Sequence, residues 1–313
     1  TCLILWQCGV FEKFWFWTFD YARHYVTLTS WNDGFVNFRH ALMPIVRSGV
    51  LIWLAGLAGF LIIITKKQFG PHRFFVIGFT ICSFLALCPG LYFRPHYFVL
   101  FLPALAILAG IGTATLPDLL KLKANRPVAA ALLILLIWFQ SFYSQRKYLT
   151  ESNPEILSRM VFGFFPFPET FEIARYIKAN SCADDKILVF GSEPQIYFYA
   201  QRRSAASFIY TYPLMENQPF ALDMQKEMIS QAEAAKPAFI VIVKTADSWM
   251  PQPNAPKLIF NWIDNYISQY YQQTGLVEIF EDKQQSVYYF DQARQPEKSE
   301  GWLMIFKRRE NAG

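Results

Sequence analysis

The sequence is short of charge. Of its 313 residues, 17% are charged, whereas roughly a quarter is usual for soluble domains. The 29 basic and 24 acidic residues leave a net charge of only +5, and the basic residues form no run or stripe. A protein that binds nucleic acid needs such a patch of positive charge. The composition therefore excludes nucleic acid as a partner and argues against an ordinary soluble domain.

Motifs that carry metal or nucleophile chemistry are also missing. The sequence has four histidines and five cysteines, but no CxxC pair and no spacing of Cys and His that suits zinc. It contains no HExxH motif, no nucleophile elbow and no P-loop. We therefore expect no metal site and no cofactor in this chain, and the sequence assigns no catalytic residue.

Apolar side chains are what the sequence has in abundance, 53% of the total, with 18% aromatic. Four apolar runs approach the length needed to cross a ~30 Å hydrocarbon core. They predict membrane-spanning helices at about 45–65, 74–91, 96–116 and 127–143. Residues 1–11 resemble the end of a partial helix, so we expect the chain to be a fragment. The aromatic-rich stretch 12–44 is predicted to form an interfacial loop. Residues 1–149 are thus predicted to form a polytopic α-helical membrane region.

Two short connections between these runs are basic. Their charged residues are Lys66, Lys67 and Arg73 in the first and Lys121, Lys123 and Arg126 in the second. Short loops rich in Lys and Arg stay on the cytoplasmic side of a membrane. The alternate segments, 12–44, 92–97 and 150–313, are then predicted to face outward.

From about residue 150 the long apolar runs give way to short apolar strands that alternate with amphipathic helices. Helices are predicted at 169–180, 218–235 and 256–272. Strands are predicted near 186–190, 238–243, 276–281, 286–290 and 302–307. Such alternation predicts a three-layer α/β domain with a partly parallel, Rossmann-like sheet over 150–313. The orientation above makes this domain extracytoplasmic.

Polar residues stand between the second and third apolar runs, in the stretch Cys88-Pro-Gly-Leu-Tyr-Phe-Arg-Pro-His-Tyr97. Polar side chains at a membrane boundary cost free energy unless they are paired or functional. In a structural interpretation, Arg94 extends to the interface beside His96. In a functional one, Arg94 gives two planar donors to a phosphate, His96 a third, and a helix opening at Tyr97 adds positive potential. The residues alone favour neither interpretation.

A glycine turn follows the first predicted strand, in Phe190-Gly-Ser-Glu-Pro194. One glycine is not a phosphate-binding loop, and Glu193 would repel an anion, so a structural turn is favoured over a nucleotide site. Ser192 or Glu193 is expected to cap the helix that follows. Arg202 and Arg203 are expected to end that helix, where cations are favoured.

Several stretches resemble a known family. The segment Tyr92-Phe-Arg-Pro-His-Tyr-Phe-Val-Leu-Phe-Leu-Pro-Ala-Leu-Ala-Ile-Leu-Ala-Gly110 resembles the late transmembrane region of GT-C glycosyltransferases. The nearest type is family 39-like, the protein-mannosyltransferase or aminoarabinose-transferase type. The blocks Leu188–Tyr199, Arg202–Ser204 and Tyr210–Glu216 are similar to the outward α/β domain of bacterial members. The chain therefore looks like the C-terminal portion of such a protein.

The resemblance implies a multi-pass enzyme of the cell inner membrane. It would transfer a sugar from a polyprenyl-phosphate donor on the outer face, with Arg94, His96 and Tyr97 binding the lipid-linked phosphate. The sugar and the acceptor are not implied. The alternative is a non-catalytic, membrane-anchored protein that binds and assembles partners in envelope polysaccharide synthesis.

The family also implies an acidic residue in the first outward loop, which acts as a base or holds a divalent metal. Loop 12–44 contains Glu12, Asp20 and Asp33, but no adjacent acidic pair. No catalytic role is carried over to any of the three. The catalytic acid, and any metal it holds, are expected in a part of the protein that precedes this chain.

Overall fold

The computed structural model describes residues 1–66, 69–119, 125–280, 285–297 and 299–310. The chain divides into two compact units, Thr1–Thr150 and Glu151–Gly313. Three of the basic residues on which the predicted orientation depends, Lys67, Lys121 and Lys123, lie outside the described residues.

The first unit is built from helices. Its described α-helices are α1 (Cys2–Gln7), α2 (Phe11–Trp15), α3 (Tyr21–Tyr25), α4 (Trp31–Ser48), α5 (Val50–Thr65), α6 (His72–Leu85), α7 (Leu102–Leu119) and α8 (Arg126–Thr150). A π-helical turn, Phe16–Asp20, links α2 to α3, and two 3-10 segments, Pro89–Leu91 and Pro95–Phe101, lie between α6 and α7.

The apolar runs form fewer helices of membrane length than the four that the sequence predicts. Among the described residues, two helical stretches are long and apolar enough to cross a membrane, Pro95–Asp118 with 24 residues and Arg126–Thr150 with 25. The predicted span 45–65 is one arm of a bent pair, because α4 and α5 meet at an angle of 104°. If this pair is counted as one span, the described residues contain three candidate spans. The predicted span 74–91 contains α6 of only 14 residues, about 21 Å long.

Local backbone geometry explains both interruptions. Gly49, between α4 and α5, has φ −141° and ψ 47°, which is not helical. After α6 ends at Leu85, Pro89 lacks an N–H group and Gly90 has φ 73°, so a right-handed α-helix does not continue through the rest of this run. Hydropathy does not report backbone conformation, and both apolar runs therefore look continuous in the sequence.

Helices α5 and α7 pack with their backbones in contact. A Cβ atom added at Gly59 would lie 3.0 Å from the backbone nitrogen of Gly112. A Cβ atom added at Gly112 would lie 3.1 Å from the backbone nitrogen of Gly59 and would overlap the carbonyl group of Ala55. Small residues permit this close approach between apolar helices. The two glycines therefore set the distance between α5 and α7.

The second unit combines strands with helices. Its strands are β1 (Lys186–Phe190), β2 (Arg203–Ser204), β3 (Phe239–Lys244), β4 (Tyr271–Phe280), β5 (Gln285–Phe290) and β6 (Gly301–Arg308). Its helices are α9 (Pro154–Phe162), α10 (Phe167–Ala179), α11 (Gln195–Ala200), α12 (Ala221–Ala235), α13 (Ala246–Trp249) and α14 (Leu258–Tyr270). Most of these elements overlap the predicted segments, whereas α9, β2 and α13 were not predicted.

The strands form one mixed sheet in the order β2-β1-β3-β6-β4-β5. Strand β1 is parallel to both β2 and β3, and β6 is antiparallel to β3 and to β4. The chain runs from β1 to β2 on one side and then returns to β3 on the other side of β1. The strand order thus reverses between β1 and β3, and the carboxyl ends of such strands are where open α/β sheets commonly bind ligands.

Helices pack against both faces of this sheet. On one face, α10 and α11 contribute Ile173, Ile177 and Ile196 to a buried core shared with β1, β3, β4 and β6. On the other face, the ring of Phe260 in α14 lies 5.8 Å from the ring of Phe190. Successive strand residues point to opposite faces, so a strand that is covered on both faces is apolar throughout. This explains the unbroken apolar run of β1.

We predict that Gly112→Ala destabilises the chain by about 1–3 kcal/mol, because the new methyl group meets backbone that no rotamer change can move. Gly110→Ala on the same helix is the matched control, since a Cβ atom there meets no described atom within 4 Å. It should be neutral or stabilising by up to about 1 kcal/mol through helix propensity. Thermal unfolding in detergent measures both; equal melting temperatures for the two variants would contradict the proposed backbone contact.

Candidate functional site

The polar stretch between α6 and α7 is a turn with an unusual backbone. Gly90, Leu91 and Phe93 have φ values of 73°, 54° and 44°. This left-handed region is open to glycine, but it costs of order 1–3 kcal/mol for each of the other two residues. Such strain persists only where the surroundings enforce it, and it clusters at functional sites. The turn is therefore the first place to look for function in this unit.

Helix α4 supplies the surroundings that hold the turn. The side-chain amide of Asn37 donates a hydrogen bond to the carbonyl oxygen of Leu91 at 3.3 Å. Gly34 lies beneath the same residue, and a Cβ atom there would be 2.8 Å from the Cβ atom of Leu91. The ring of Phe93 is 7% exposed and lies 5.1 Å from the ring of Phe38. One helix thus contacts both of the strained residues.

Arg94 lies over a pair of stacked tyrosines. The rings of Tyr92 and Tyr25 are 4.7 Å apart with an interplanar angle of 20°, and the Tyr92 hydroxyl donates to the Tyr25 carbonyl oxygen at 3.5 Å. The guanidinium carbon of Arg94 is 5.7 Å from the centre of the Tyr92 ring, which is a cation–π distance. The half-buried Arg94 side chain is thus positioned by the protein.

The other two predicted residues lie just beyond Arg94. His96 is exposed and Tyr97 is half-buried, and their rings are 4.8 Å apart at an angle of 89°. Tyr97 also packs against the buried cluster that contains Phe98. The structure therefore brings His96 to Tyr97 and Arg94 to Tyr92, and it gives Tyr97 a packing role that the sequence did not predict.

The sequence predicts that the helix after the turn opens at Tyr97, and this prediction is wrong. The helix opens at Pro95 with the 3-10 segment, preceded by Arg94 in an extended conformation with φ −60° and ψ 144°, and the α-helix begins only at Leu102. Proline suits the first helical position because it has no N–H group to satisfy. The N–H group of Tyr97 donates to the Arg94 carbonyl oxygen at 2.8 Å, so it is not directed at a ligand.

One acidic residue of loop 12–44 has a structural role. The Ser30 hydroxyl donates to the Asp33 carboxylate at 2.6 Å, and the Asp33 N–H group donates back to Ser30 Oγ at 3.1 Å. This reciprocal pair caps the first turn of α4. In the part of the chain that the structure describes, no group of three or more His, Cys, Asp or Glu side chains could hold a metal ion.

A second candidate lies where β1 and β3 end. Sequence reasoning considered its turn, with Ser192 and Glu193, but missed Thr211 and Ser248. The Ser248 hydroxyl donates to the Glu193 carboxylate at 2.9 Å, and the Ser192 N–H group donates to Ser248 Oγ at 3.1 Å. The hydroxyls of Ser192 and Thr211 are 2.9 Å apart. Gly191 leaves room for this cluster, since a Cβ atom there would lie 2.7 Å from Ser248 Oγ. Three segments that are distant in the sequence meet here, and their proximity follows from the strand order, which the sequence does not show.

Glu193 is enclosed in this cluster. It is 3% exposed, and burial raises the pKa of its carboxyl group from 4.5 to about 7, despite the opposing hydrogen bonds from Ser248 and Ser192. Neither predicted cap forms at the start of α11, which is flanked by Pro194, because both side chains are engaged in the cluster. A carboxyl group that titrates near neutral pH is a candidate proton carrier, but this one is shielded from any substrate.

Arg202 joins two helix ends, as the sequence predicts for the end of α11. Its guanidinium group donates to the carbonyl oxygen of Ala200 at 3.2 Å. It also donates to the carbonyl oxygens of Lys178 at 3.3 Å and Ser181 at 2.8 Å, near the end of α10. Cations are stabilised at helix C-termini, so Arg202 is a structural residue.

Comparisons of the chain with family models, with curated proteins and with solved structures returned no match. Site geometry and sequence resemblance are therefore the grounds for a functional proposal. The turn before α7 is the better of the two candidates, because His96 is exposed and Arg94 is only half-buried. In the other candidate, Glu193 is buried.

We predict that Glu193→Gln changes the pH dependence of stability. The folded pKa of about 7 lies above the ordinary value of 4.5, so the stability that this carboxyl group contributes is complete below pH 4.5 and is lost as the pH rises through 7. The variant cannot ionise but keeps an acceptor for Ser248. At pH 8 it should be more stable than the wild type by about 3 kcal/mol, with a smaller difference near pH 5.

Hydrogen exchange of β1 peptides, compared between variant and wild type at each pH, measures this difference. The control is Glu233→Gln, because Glu233 is an exposed carboxylate that accepts a hydrogen bond from the Trp262 indole at 2.8 Å. A pH-independent difference between wild type and Glu193→Gln would show that Glu193 does not titrate in this range.

Proposed function

We propose that this chain is the C-terminal portion of a GT-C type membrane glycosyltransferase that uses a polyprenyl-phosphate-linked sugar donor. One observation carries the proposal: a strained turn, held by α4, places Arg94 directly before the apolar helical stretch Pro95–Asp118. A cation at the end of a membrane helix suits the phosphate of a lipid-linked donor. Backbone strain and a positioned arginine coincide at that point.

The surface of α8 supports a membrane location for the first unit. The helix has 25 residues, about 37 Å in length. Its large apolar side chains face outward, with Trp138 62% exposed, Leu132 60% and Leu135 59%. An apolar surface of this extent is unstable in water, and it marks a contact with lipid or with another protein. We place the helix in the cell inner membrane, as one pass of several.

Arg94 and His96 have the chemistry to hold the donor phosphate. The guanidinium group offers two parallel N–H donors to phosphate oxygens, and it stays charged at any physiological pH. During sugar transfer the bond between the sugar carbon and the phosphate oxygen breaks, and the phosphate keeps the electron pair. A fixed cation stabilises that developing charge. His96 would add an N–H donor, with its ring oriented by the edge contact with Tyr97.

The second unit fits the extracytoplasmic α/β domain of this proposal. Helices contact both faces of its sheet, and the parallel trio β2-β1-β3 supports a three-layer, Rossmann-like interpretation. We propose that this unit lies on the outer side of the membrane. We assign no general base and no cofactor to this chain, and its acceptor is not specified.

Binding of a polyprenyl monophosphate to the whole chain in maltoside, measured by native mass spectrometry, tests the proposal. Arg94→Ala should weaken binding about tenfold, because a charged hydrogen-bonding partner is lost. Arg94→Lys should be intermediate, since the charge remains but the planar pair of donors does not.

Arg73→Ala provides the matched control. Arg73 is also half-buried and also lies over an aromatic ring, with its guanidinium carbon 4.6 Å from the centre of Phe74, but it lies in the first turn of α6, outside the turn that holds Arg94. It should bind the lipid phosphate as the wild type does. Equal losses in Arg94→Ala and Arg73→Ala would reduce the effect to general electrostatics and contradict a specific phosphate site.

A further inference from the structure

The second unit contains a cavity of about 530 Å³. It lies between the first turns of α9 and α10, and α11 and β5 supply the remaining walls. Cavities of roughly 300–1,000 Å³ are the usual size for small-molecule sites. Four aromatic residues line it, Phe167, Phe171, Tyr199 and Tyr288.

The rings at the mouth of the cavity remain accessible. Phe171 is 44% exposed and Tyr199 43%, and their rings are 5.2 Å apart in an edge-to-face arrangement of 83°. Aromatic faces carry a negative quadrupole and attract cations.

Carboxylates complete the lining. Glu155 and Glu172 both line the cavity; Glu155 lies in the first turn of α9, and Glu172 in the second turn of α10. Glu172 accepts two hydrogen bonds of 3.1 Å from Arg175, which neutralises part of its charge. The first-turn carboxylates are Glu155 in α9 and Glu169 in α10, and they offset the positive ends of the two helix dipoles. The helix starts therefore do not make the cavity an anion site.

A third carboxylate lies deeper in the unit. Glu169 is fully buried; one of its oxygens accepts hydrogen bonds from Arg159 and Ser286. Its other oxygen has no hydrogen-bond partner among the described residues. The pKa of the Tyr288 hydroxyl, in the cavity wall, is raised first by burial and then by Glu169, Glu155 and Glu172, against the opposing charge of Arg159. Three carboxylates and one arginine thus act on this wall of the cavity.

We propose that this cavity binds a small organic cation, an alkylammonium group or a protonated amine. The aromatic rings supply apolar contact and cation–π attraction, and Glu155 and Glu172 supply the opposite charge. The site lies entirely within the second unit, and the proposal does not depend on the phosphate site at Arg94.

Choline and ethanolamine are the probes. Saturation-transfer NMR on the whole chain in maltoside should show transfer to the choline methyl groups, with a dissociation constant on the order of 1 mM. The neutral isostere 3,3-dimethyl-1-butanol has the same shape without the charge. It should bind at least about fivefold more weakly. Equal binding of the two would overturn the assignment to cations, and absence of transfer from both choline and ethanolamine would overturn the site.

Variants locate the site. Glu172→Gln and Tyr199→Leu should each weaken choline binding about fivefold. Asp223→Asn is the control, because Asp223 also pairs with a basic residue three positions on, Lys226 at 3.0 Å, on an exposed helix surface. Equal losses in Glu172→Gln and Asp223→Asn would show non-specific attraction and contradict the proposal. If choline binds, a second experiment with phosphatidylcholine vesicles distinguishes a lipid headgroup from a free amine as the natural ligand. Vesicles that displace free choline from the chain indicate a lipid headgroup, and vesicles that do not displace it indicate a free amine.

Discussion

The contact between Leu91 and the glycine surface of α4 is the constraint on which the first unit depends. A left-handed leucine is unfavourable, and it is kept by the hydrogen bond from Asn37 and by the space that Gly34 leaves. The turn that this contact holds leads into the extended conformation of Arg94 and the early opening of the next helix at Pro95. A proline–glycine pair that interrupts a hydrophobic run thus also creates the place where a charged side chain is held.

The two units treat buried or half-buried charge in different ways. Arg94 lies over the ring of Tyr92 and remains near the surface, which suits a group that must meet a ligand. Glu193 is enclosed and shifted toward the neutral form, because burying a charged carboxylate without a cation is costly. Glu169 is buried with Arg159 as its partner. Function is thus better sought at Arg94 and in the aromatic cavity than at the buried carboxyl of Glu193.

Much of the second unit could be predicted from its sequence, because strands covered on both faces are short apolar runs, as in β1 and β3, and helices such as α10 carry the matching apolar stripe. Strand order could not be predicted. Because strand order brings Ser192, Thr211 and Ser248 together, their contact could not be predicted either. In the first unit, the positions of Arg94 and His96 between apolar runs were visible in the sequence. The bend between α4 and α5 and the left-handed turn were not, because hydropathy is blind to φ and ψ.

The central claim is that α4 holds the turn so that Arg94 can meet a phosphate, and a double-mutant cycle tests it most directly. Asn37→Ala, Arg94→Ala and the double variant are compared for polyprenyl-phosphate binding. If Asn37 acts by positioning Arg94, its loss weakens binding in the wild-type background and has little further effect once Arg94 is gone. Additive losses, or full binding by Asn37→Ala, would contradict the account.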